Sequence, residues 1–353
     1  MREKFILERE PQHCKHDQNP SECEACVLEQ QPSWETIKKI RGKSEFKRSN
    51  EFSVNCEIEL SGEKFKIETI EDGKSPVISD VQKMLEKTFS AEELDSEEVL
   101  RSAVDGKTSQ GTESERYRII TVHNEKNELV AFITGSQLAL LAETGESTKE
   151  SVYYVGYVIT DKKTRQKGLA REAYVSALID ATKDARLQGN KLKFVIGEGA
   201  SSAEKFINSF GSKRLYVQTG VKKEYTELKY IQPALDFDEN TGEISKGAGE
   251  VPEHLMIGGL GQGSPTKEDV KKTYEAMMRF NSELPEEAFN NKGAHENQKK
   301  YIADIKEKFK SFLDNNGQLI FLDAENRKKA KEEGVVIHEH KKADHGKTGE
   351  EDF

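Results

Sequence analysis

From Lys64 to Gln232 the spacing of apolar residues switches between the two-residue repeat of a strand and the 3.6-residue repeat of a helix. KFKIETI (Lys64–Ile70) alternates as a half-buried strand does. In SPVISDVQKMLEKTF, Pro76 stands near a helix start, and Val77, Ile78, Val81, Met84, Leu85 and Phe89 recur at helical spacing. SEEVLRSAVDG is a shorter helix closed by Gly106. ERYRIITVHNEKNELVAFITGSQLAL predicts two strands around a turn at Asn124–Asn127, and SVYYVGYVIT (Ser151–Thr160) a third. Ala170, Tyr174, Ala177, Leu178, Ala181 and Ala185 mark one face of a long helix ending near Gly189. KLKFVIG is a strand, and SSAEKFINSFG a helix with a capping box, Ser201 to Glu204, and a terminal Gly211. KRLYVQ and EYTELKYIQ are two more strands. This order predicts an α/β (α+β) domain over residues 46–235, with a mixed, mainly antiparallel sheet flanked by helices.

The flanks have a different texture. Residues 1–45 are polar and carry three of the four cysteines. After Asp236, DENTGEISKGAGEVPE reads as a linker rich in glycine and acid. TKEDVKKTYEAMMRF and ENQKKYIADIKEKFKSFL follow as amphipathic helices, and QLIFLD as a short strand. Residues 236–325 are therefore expected to form a helical extension. Residues 326–353 are charged and, apart from Val335–Ile337, nearly free of apolar side chains, which predicts a solvated tail.

Composition narrows the function classes. Hydrophobic and charged residues are nearly balanced, at 34% and 33% of 353 positions, so part of the chain is expected to be loop or tail. A net charge of -10 argues against a nucleic-acid coat, while leaving room for one local basic pocket. No apolar run approaches the roughly 20 residues that span a bilayer, and MREKFILERE is neither a signal nor a transit peptide. The expectation is a cytoplasmic protein with no membrane partner. Its cysteines, Cys14, Cys23, Cys26 and Cys56, would then be reduced thiols or metal ligands.

One turn carries candidate chemistry. TRQKGLAREA (Thr164–Ala173) lies between a strand ending at Thr160 and a helix beginning near Gly168. The first N–H groups of that helix lack intrahelical partners, and with the helix dipole they form an anion site. Gly168 lets a ligand approach the backbone, Ala170 keeps the next turn narrow, and Lys163, Arg165, Lys167 and Arg171 supply positive charge. A diphosphate fits these features. The bland alternative is an ordinary turn with solvated basic side chains.

Arg165-Gln166-Lys167-Gly168-Leu169-Ala170 resembles the Arg/Gln-x-x-Gly-x-Gly/Ala signature of the GNAT superfamily of acyl-CoA-dependent N-acetyltransferases. The order of elements from Lys64 to Gln232 is similar to that family's fold. The resemblance implies acetyl-CoA as cosubstrate, with its diphosphate on residues 165–170. Val158 and Thr160 match the family's apolar pair on the preceding strand. That strand is splayed from its neighbour in the family and takes the pantetheine arm as an added strand, so backbone groups near Ile159 and Thr160 are implied to hold pantetheine and thioester. Ala203, Phe206, Phe210 and Gly211 match a later family helix, with Ala200 in place of its asparagine and Ser212 in place of a phenylalanine. Ile207 stands where a tyrosine often protonates the departing thiolate. Since a thiol pKa is about 8.5, that loss weakens the case for catalysis without ending it.

Acyl transfer needs a group to take the proton of the attacking amine, and N–H donors for the oxyanion. Glu198, just past KLKFVIG, is the first candidate base and Tyr157, on the cofactor strand, the second. A solvated loop carboxylate is the other reading of Glu198. Cys56 could carry an acyl group, although a lone cysteine beside a strand is more often a packing residue.

HCKHDQNPSECEAC offers a zinc set of Cys14, His16, Cys23 and Cys26, with His13 as an alternative to His16. A polar leader with reduced thiols is the other reading. GGLGQG (Gly258–Gly263) lacks the lysine and hydroxyl residue of a phosphate loop and reads as a flexible turn into a helix. His338, His340 and His345 read as solvated. Together the residues point to direct acetyl transfer from acetyl-CoA to an unidentified amine, and the acidic balance favours a cationic one. The rival is a non-catalytic acyl-CoA-binding or scaffold protein with a zinc-held N-terminal docking module. Oligomeric state is not legible.

Overall fold

The computed structural model describes residues 28–29, 31–89, 94–106, 117–199, 204–219, 224–228, 230–233, 237–245, 251–261 and 263–339. Helix α1 (Pro32–Arg41) precedes strands β1 (Lys47–Arg48), β2 (Cys56–Leu60) and β3 (Glu63–Ile70). Helices α2 (Val77–Glu86) and α3 (Glu97–Val104) lead to β4 (Tyr117–Asn124), β5 (Leu129–Leu141) and β6 (Ser147–Thr160). Then come α4 (Leu169–Leu187), β7 (Lys191–Gly199), α5 (Glu204–Ser209), β8 (Lys213–Thr219), β9 (Glu224–Glu227), β10 (Tyr230–Gln232) and β11 (Val251–Gly259). Helices α6 (Lys267–Asn281) and α7 (Lys292–Asn315), strand β12 (Leu319–Leu322), α8 (Ala324–Glu332) and β13 (Val336–His338) complete the order.

Among the described residues these strands form one sheet, ordered β1-β2-β3-β4-β5-β6-β7-β11-β8-β9-β13, with β10 beside β11 and β12 beside β8. Its pairings are antiparallel except β6–β7 and β9–β13. The β6–β7 joint is parallel because α4 makes the crossover between them, and a parallel pair cannot be closed by a tight turn. One apolar core lies between the sheet and α2, α3, α6 and α7, with Ile78, Leu100, Tyr274 and Phe309 among its members. The other lies under α1 and α4, with Trp34, Ile37, Tyr174 and Leu178. The mixed, mainly antiparallel sheet with helices on both faces is the fold class expected.

Several expected boundaries move. Trp34, Ile37 and Ile40 of α1 are buried, so the polar N-terminal segment ends earlier than residue 45. VPEHLMIGG, expected to be linker and loop, is β11, seated between β7 and β8 in mid-sheet. A central strand is covered on both faces and shows a continuous apolar run, here Leu255–Ile257, instead of alternation. The sheet therefore runs straight across the expected division at 235/236. The segment expected to be a solvated tail from 326 holds α8 and β13, which pairs in parallel with β9. Two glycines of GGLGQG are close-packed: a Cβ on Gly258 would stand 2.6 Å from Ser212 Oγ, and one on Gly261 2.3 Å from the Pro32 carbonyl oxygen. Cys56 is buried in the second core beside Arg48, as a packing residue, and burial raises its thiol pKa.

Candidate functional site

The β6–β7 ladder runs from Glu150↔Lys191 to Val155↔Gly197 and stops. Beyond it β6 stays with β5 through Thr160↔Ala131, while β7 stays with β11 through Gly199↔His254. The two strands therefore part, and the β7-facing edge of β6 from Gly156 to Thr160 is open. The cause is a bulge. Between the pairs Ile133↔Val158 and Gly135↔Val155, one residue of β5 (Thr134) faces two of β6 (Gly156 and Tyr157). The Tyr157 N–H donates to Thr134 Oγ1 at 2.8 Å. Only glycine fits at 156, since a Cβ there would stand 2.7 Å from the same oxygen.

Alternation then decides which backbone groups face the opening. The Asp161 N–H donates to the Val130 carbonyl on β5. Ile159, two residues back, also faces β5, so the N–H and C=O of Val158 and Thr160 face the gap. Of the two positions expected near a pantetheine arm, Thr160 turns its backbone groups to this gap and Ile159 turns its own to β5; Val158 also faces the gap.

Beyond Thr160 the chain enters a one-turn 3-10 helix (Lys162–Thr164) and then the basic turn. Gln166 and Gly168 both adopt left-handed backbone, at φ 67° and 86°. Gly168 is the N-cap of α4, and no side chain caps that helix end. Helix α4 thus starts with N–H groups that no side chain caps, flanked by Arg165, Lys167 and Arg171, an arrangement chemically suited to an anion. Lys167 Nζ lies 2.5 Å from Glu63 Oε2, and Arg171 Nη1 donates to the Lys43 carbonyl at 2.8 Å. The buried Leu169 side chain anchors the first turn, and Ala170 is partly exposed.

Glu198 stands on β7 just past the last rung of the β6–β7 ladder, facing the core under α6 and α7. It is not a solvated loop carboxylate. Tyr230 of β10 donates to its Oε1 at 2.6 Å and Tyr154 of β6 approaches the same oxygen at 3.5 Å. Burial pushes the Glu198 carboxyl up to about 7, against the lowering hydrogen bond from Tyr230 and with help from the charge of Glu253. Glu253, on β11, is itself buried. Tyr157 lies on the same face, across the splay, tilted against Phe89 with ring centroids 5.4 Å apart. Its hydroxyl is hydrogen-bonded to the Asp95 carboxyl, whose pKa is raised by burial and lowered by that bond. Phe280 of α6 covers Tyr154 and Tyr117 at centroid distances of 6.1 and 6.4 Å.

Tyr154, Tyr230, Glu253 and Asp95 are site residues that sequence reading missed. Tyr230 and Glu253 come from strands that bracket the supposed linker, so no local spacing ties them to Glu198. Ile207 lies in α5, as expected, and Phe206 packs on Phe210, which stacks on Tyr174. The Glu204 carboxylate is taken by Arg214 and Arg327. Ala200, Ala203 and the capping residue Ser201 lie outside the described residues, as do the zinc candidates Cys14, His16, Cys23 and Cys26 and their alternative His13. Among the described residues no group of three or more His, Cys, Asp and Glu could hold a metal ion. No described helix is long and apolar enough to cross a membrane.

No family model matches the chain, and no curated protein matches it. Solved structures do superpose on part of it. An acetyltransferase of the GNAT family from Staphylococcus aureus Mu50 is 11% identical, with 55% of this chain and 99% of that one covered and a TM-score of 0.32. The ribosomal-protein-S18-alanine N-acetyltransferase of Escherichia coli is also 11% identical, over 57% and 96%, with a TM-score of 0.32. The aminoglycoside acetyltransferase meta-AAC0020, from an uncultured soil metagenomic sample, is 17% identical over 41% and 83%, at 0.28. Scores this low carry no functional weight, so a functional reading has to start from the splay, the α4 N-terminus and the Glu198 carboxyl.

Proposed function

We propose that the protein is an acyl-CoA-dependent N-acyltransferase that moves an acetyl group to an amine. The observation that carries this reading is the parting of β6 from β7 directly beside an uncapped helix N-terminus. The open edge at Val158 and Thr160 offers a hydrogen-bonding ladder to an extended amide-bearing arm. The α4 cradle, a few residues on, takes the diphosphate to which that arm is joined. Acetyl-CoA carries both parts on one chain.

Glu198 is the general base. A carboxyl pushed up to about 7 is half ionised near neutral pH, and its carboxylate takes the proton that the neutral amine sheds as it bonds to the carbonyl carbon. The amine nitrogen bonds to the thioester carbonyl carbon, the C–S bond breaks, and the thiolate leaves and takes a proton from solvent. Tyr154 and Tyr230 orient the carboxylate, and Tyr157 lines the opposite wall with Asp95. Carboxylates on both walls favour a cationic acceptor. The test is thiol release from acetyl-CoA with a panel of amines, for the wild type and Glu198→Gln. Turnover with at least one amine, lowered about 10²–10⁴-fold in the variant, supports the reading. Acetyl-CoA binding without turnover on any amine would favour a non-catalytic acyl-CoA-binding protein.

A further inference from the structure

Helix α5 has six residues, too few to hold together unaided. Two sets of contacts fix it. Phe206 and Phe210 pack edge to face at 4.6 Å, and Phe210 stacks on Tyr174 of α4 at 4.2 Å. At its other end Glu204, its first residue, is buried between two arginines. Arg214 Nη2 of β8 lies 2.6 Å from Oε2. Arg327 of α8 grips both carboxylate oxygens, Nη2 donating to Oε2 at 2.7 Å and Nη1 to Oε1. Arg327 Nε is in turn held by Glu339 at 3.0 Å, and Glu339 by Lys331 at 2.8 Å.

The mechanism uses none of these charges. Burial opposes the Arg327 charge, and the hydrogen bonds to Glu204 outweigh it, so its pKa is raised. A buried ion cluster of this kind is poor value as a source of stability, because apolar side chains of equal volume often do as well. Its distinctive contribution is geometry: a two-pronged guanidinium–carboxylate contact fixes direction as well as distance. The element it fixes stands next to the cofactor cleft. Helix α5 follows β7 beyond the last β6–β7 rung and packs on the same face as α4, whose N-terminus is the anion cradle. Glu198 faces the opposite core.

We propose that Arg327 is a positioning residue for acyl-CoA: through Glu204 it holds α5 as a wall of the cofactor cleft, so a C-terminal helix sets cofactor affinity. This inference rests on the acyl-CoA reading above. It requires that loss of the clamp weaken acetyl-CoA binding and leave the chemical step alone.

The test is calorimetric titration of the full-length protein with acetyl-CoA, paired with kcat at saturating acetyl-CoA. For Arg327→Met the expected rise in Kd is about 5–150-fold, the usual span of coupling between sites, with kcat within about twofold of wild type. Arg327→Lys, which keeps the charge and loses the fork, falls between. Glu204→Gln, which also frees Arg214, weakens binding at least as much, and the double variant falls short of the sum of the two singles, because both break the Arg327–Glu204 contact. If Arg327→Met does not fold, Arg327→Lys and Glu204→Gln carry the test. A purely structural role would lower the melting temperature and the folded fraction while leaving Kd of the folded protein unchanged, and that result would overturn the proposal. So would a fall in kcat at unchanged Kd, or additive effects in the double variant. A wild type that fails to bind acetyl-CoA overturns the acyl-CoA reading itself; a wild type that binds, with variants that bind equally, overturns the clamp alone.

Discussion

At the scale of single residues, the proposed chemistry turns on Glu198. Its carboxyl titrates near 7 because burial penalises the charge more than the Tyr230 hydroxyl favours it. The rate of acyl transfer should therefore rise with pH through about 7 on its acidic limb, and Glu198→Gln should remove that limb; an unchanged profile would transfer the role to solvent. The same shift has a stability signature. The folded protein holds this proton more tightly than the unfolded chain, whose ordinary value is 4.5. Its contribution is full below about pH 4.5 and is lost as pH rises through about 7. Denaturant melts at pH 5 and pH 8 should show Glu198→Gln gaining stability relative to wild type at the higher pH. Glu198 was legible as a sheet-end carboxylate next to the cofactor strand. Its setting was not: Tyr154 looked like one more strand residue, and Tyr230 and Glu253 meet it only once β10 and β11 have paired.

At the scale of elements, the helix start at Gly168 was legible in full, because a basic turn, a glycine and an amphipathic run are all local. The left-handed φ of 86° favours glycine, and a Cβ there would meet nothing closer than Phe46 at 3.7 Å. Gly168→Asp should thus keep the fold at a backbone cost of about 1–2 kcal/mol, while placing a carboxylate in the anion cradle. The bulge at Gly156 was not legible, since its partner Thr134 is twenty-two residues away and only the ladder brings them together. Gly242 shows the same kind of long-range demand. Its φ is 69°, and a Cβ would stand 1.8 Å from the Ala294 carbonyl oxygen, where Asn240 and Thr241 also accept side-chain bonds from Asn291 and Asn297 of the α7 start. Gly242→Ala should cost at least about 2 kcal/mol in urea unfolding, with acetyl-CoA affinity of the folded protein unchanged. A neutral substitution would mean that this hairpin is not pinned to α7 as described.

At the scale of the whole molecule, the chain divides less than its texture suggests. Glycine, proline and acid around residues 238–253 look like a linker, yet β11 that follows is the strand between β7 and β8. The charged stretch after 326 looks solvated, yet Arg327 is buried and β13 covers the edge of β9. Composition misleads there because one of these charges, Arg327, is paired with Glu204 inside the fold. A chain ending at Asp323 should lose more than about 3 kcal/mol, the usual cost of breaking a buried ion pair, and should aggregate through the bared β9 edge. The most direct measurement on the whole protein is titration of wild type and Gly168→Asp with acetyl-CoA, each checked for native circular dichroism. A diphosphate held at the α4 N-terminus predicts one site per chain in the wild type and no measurable binding in the folded variant. A wild type that does not bind, or a variant that binds as the wild type does, would contradict it.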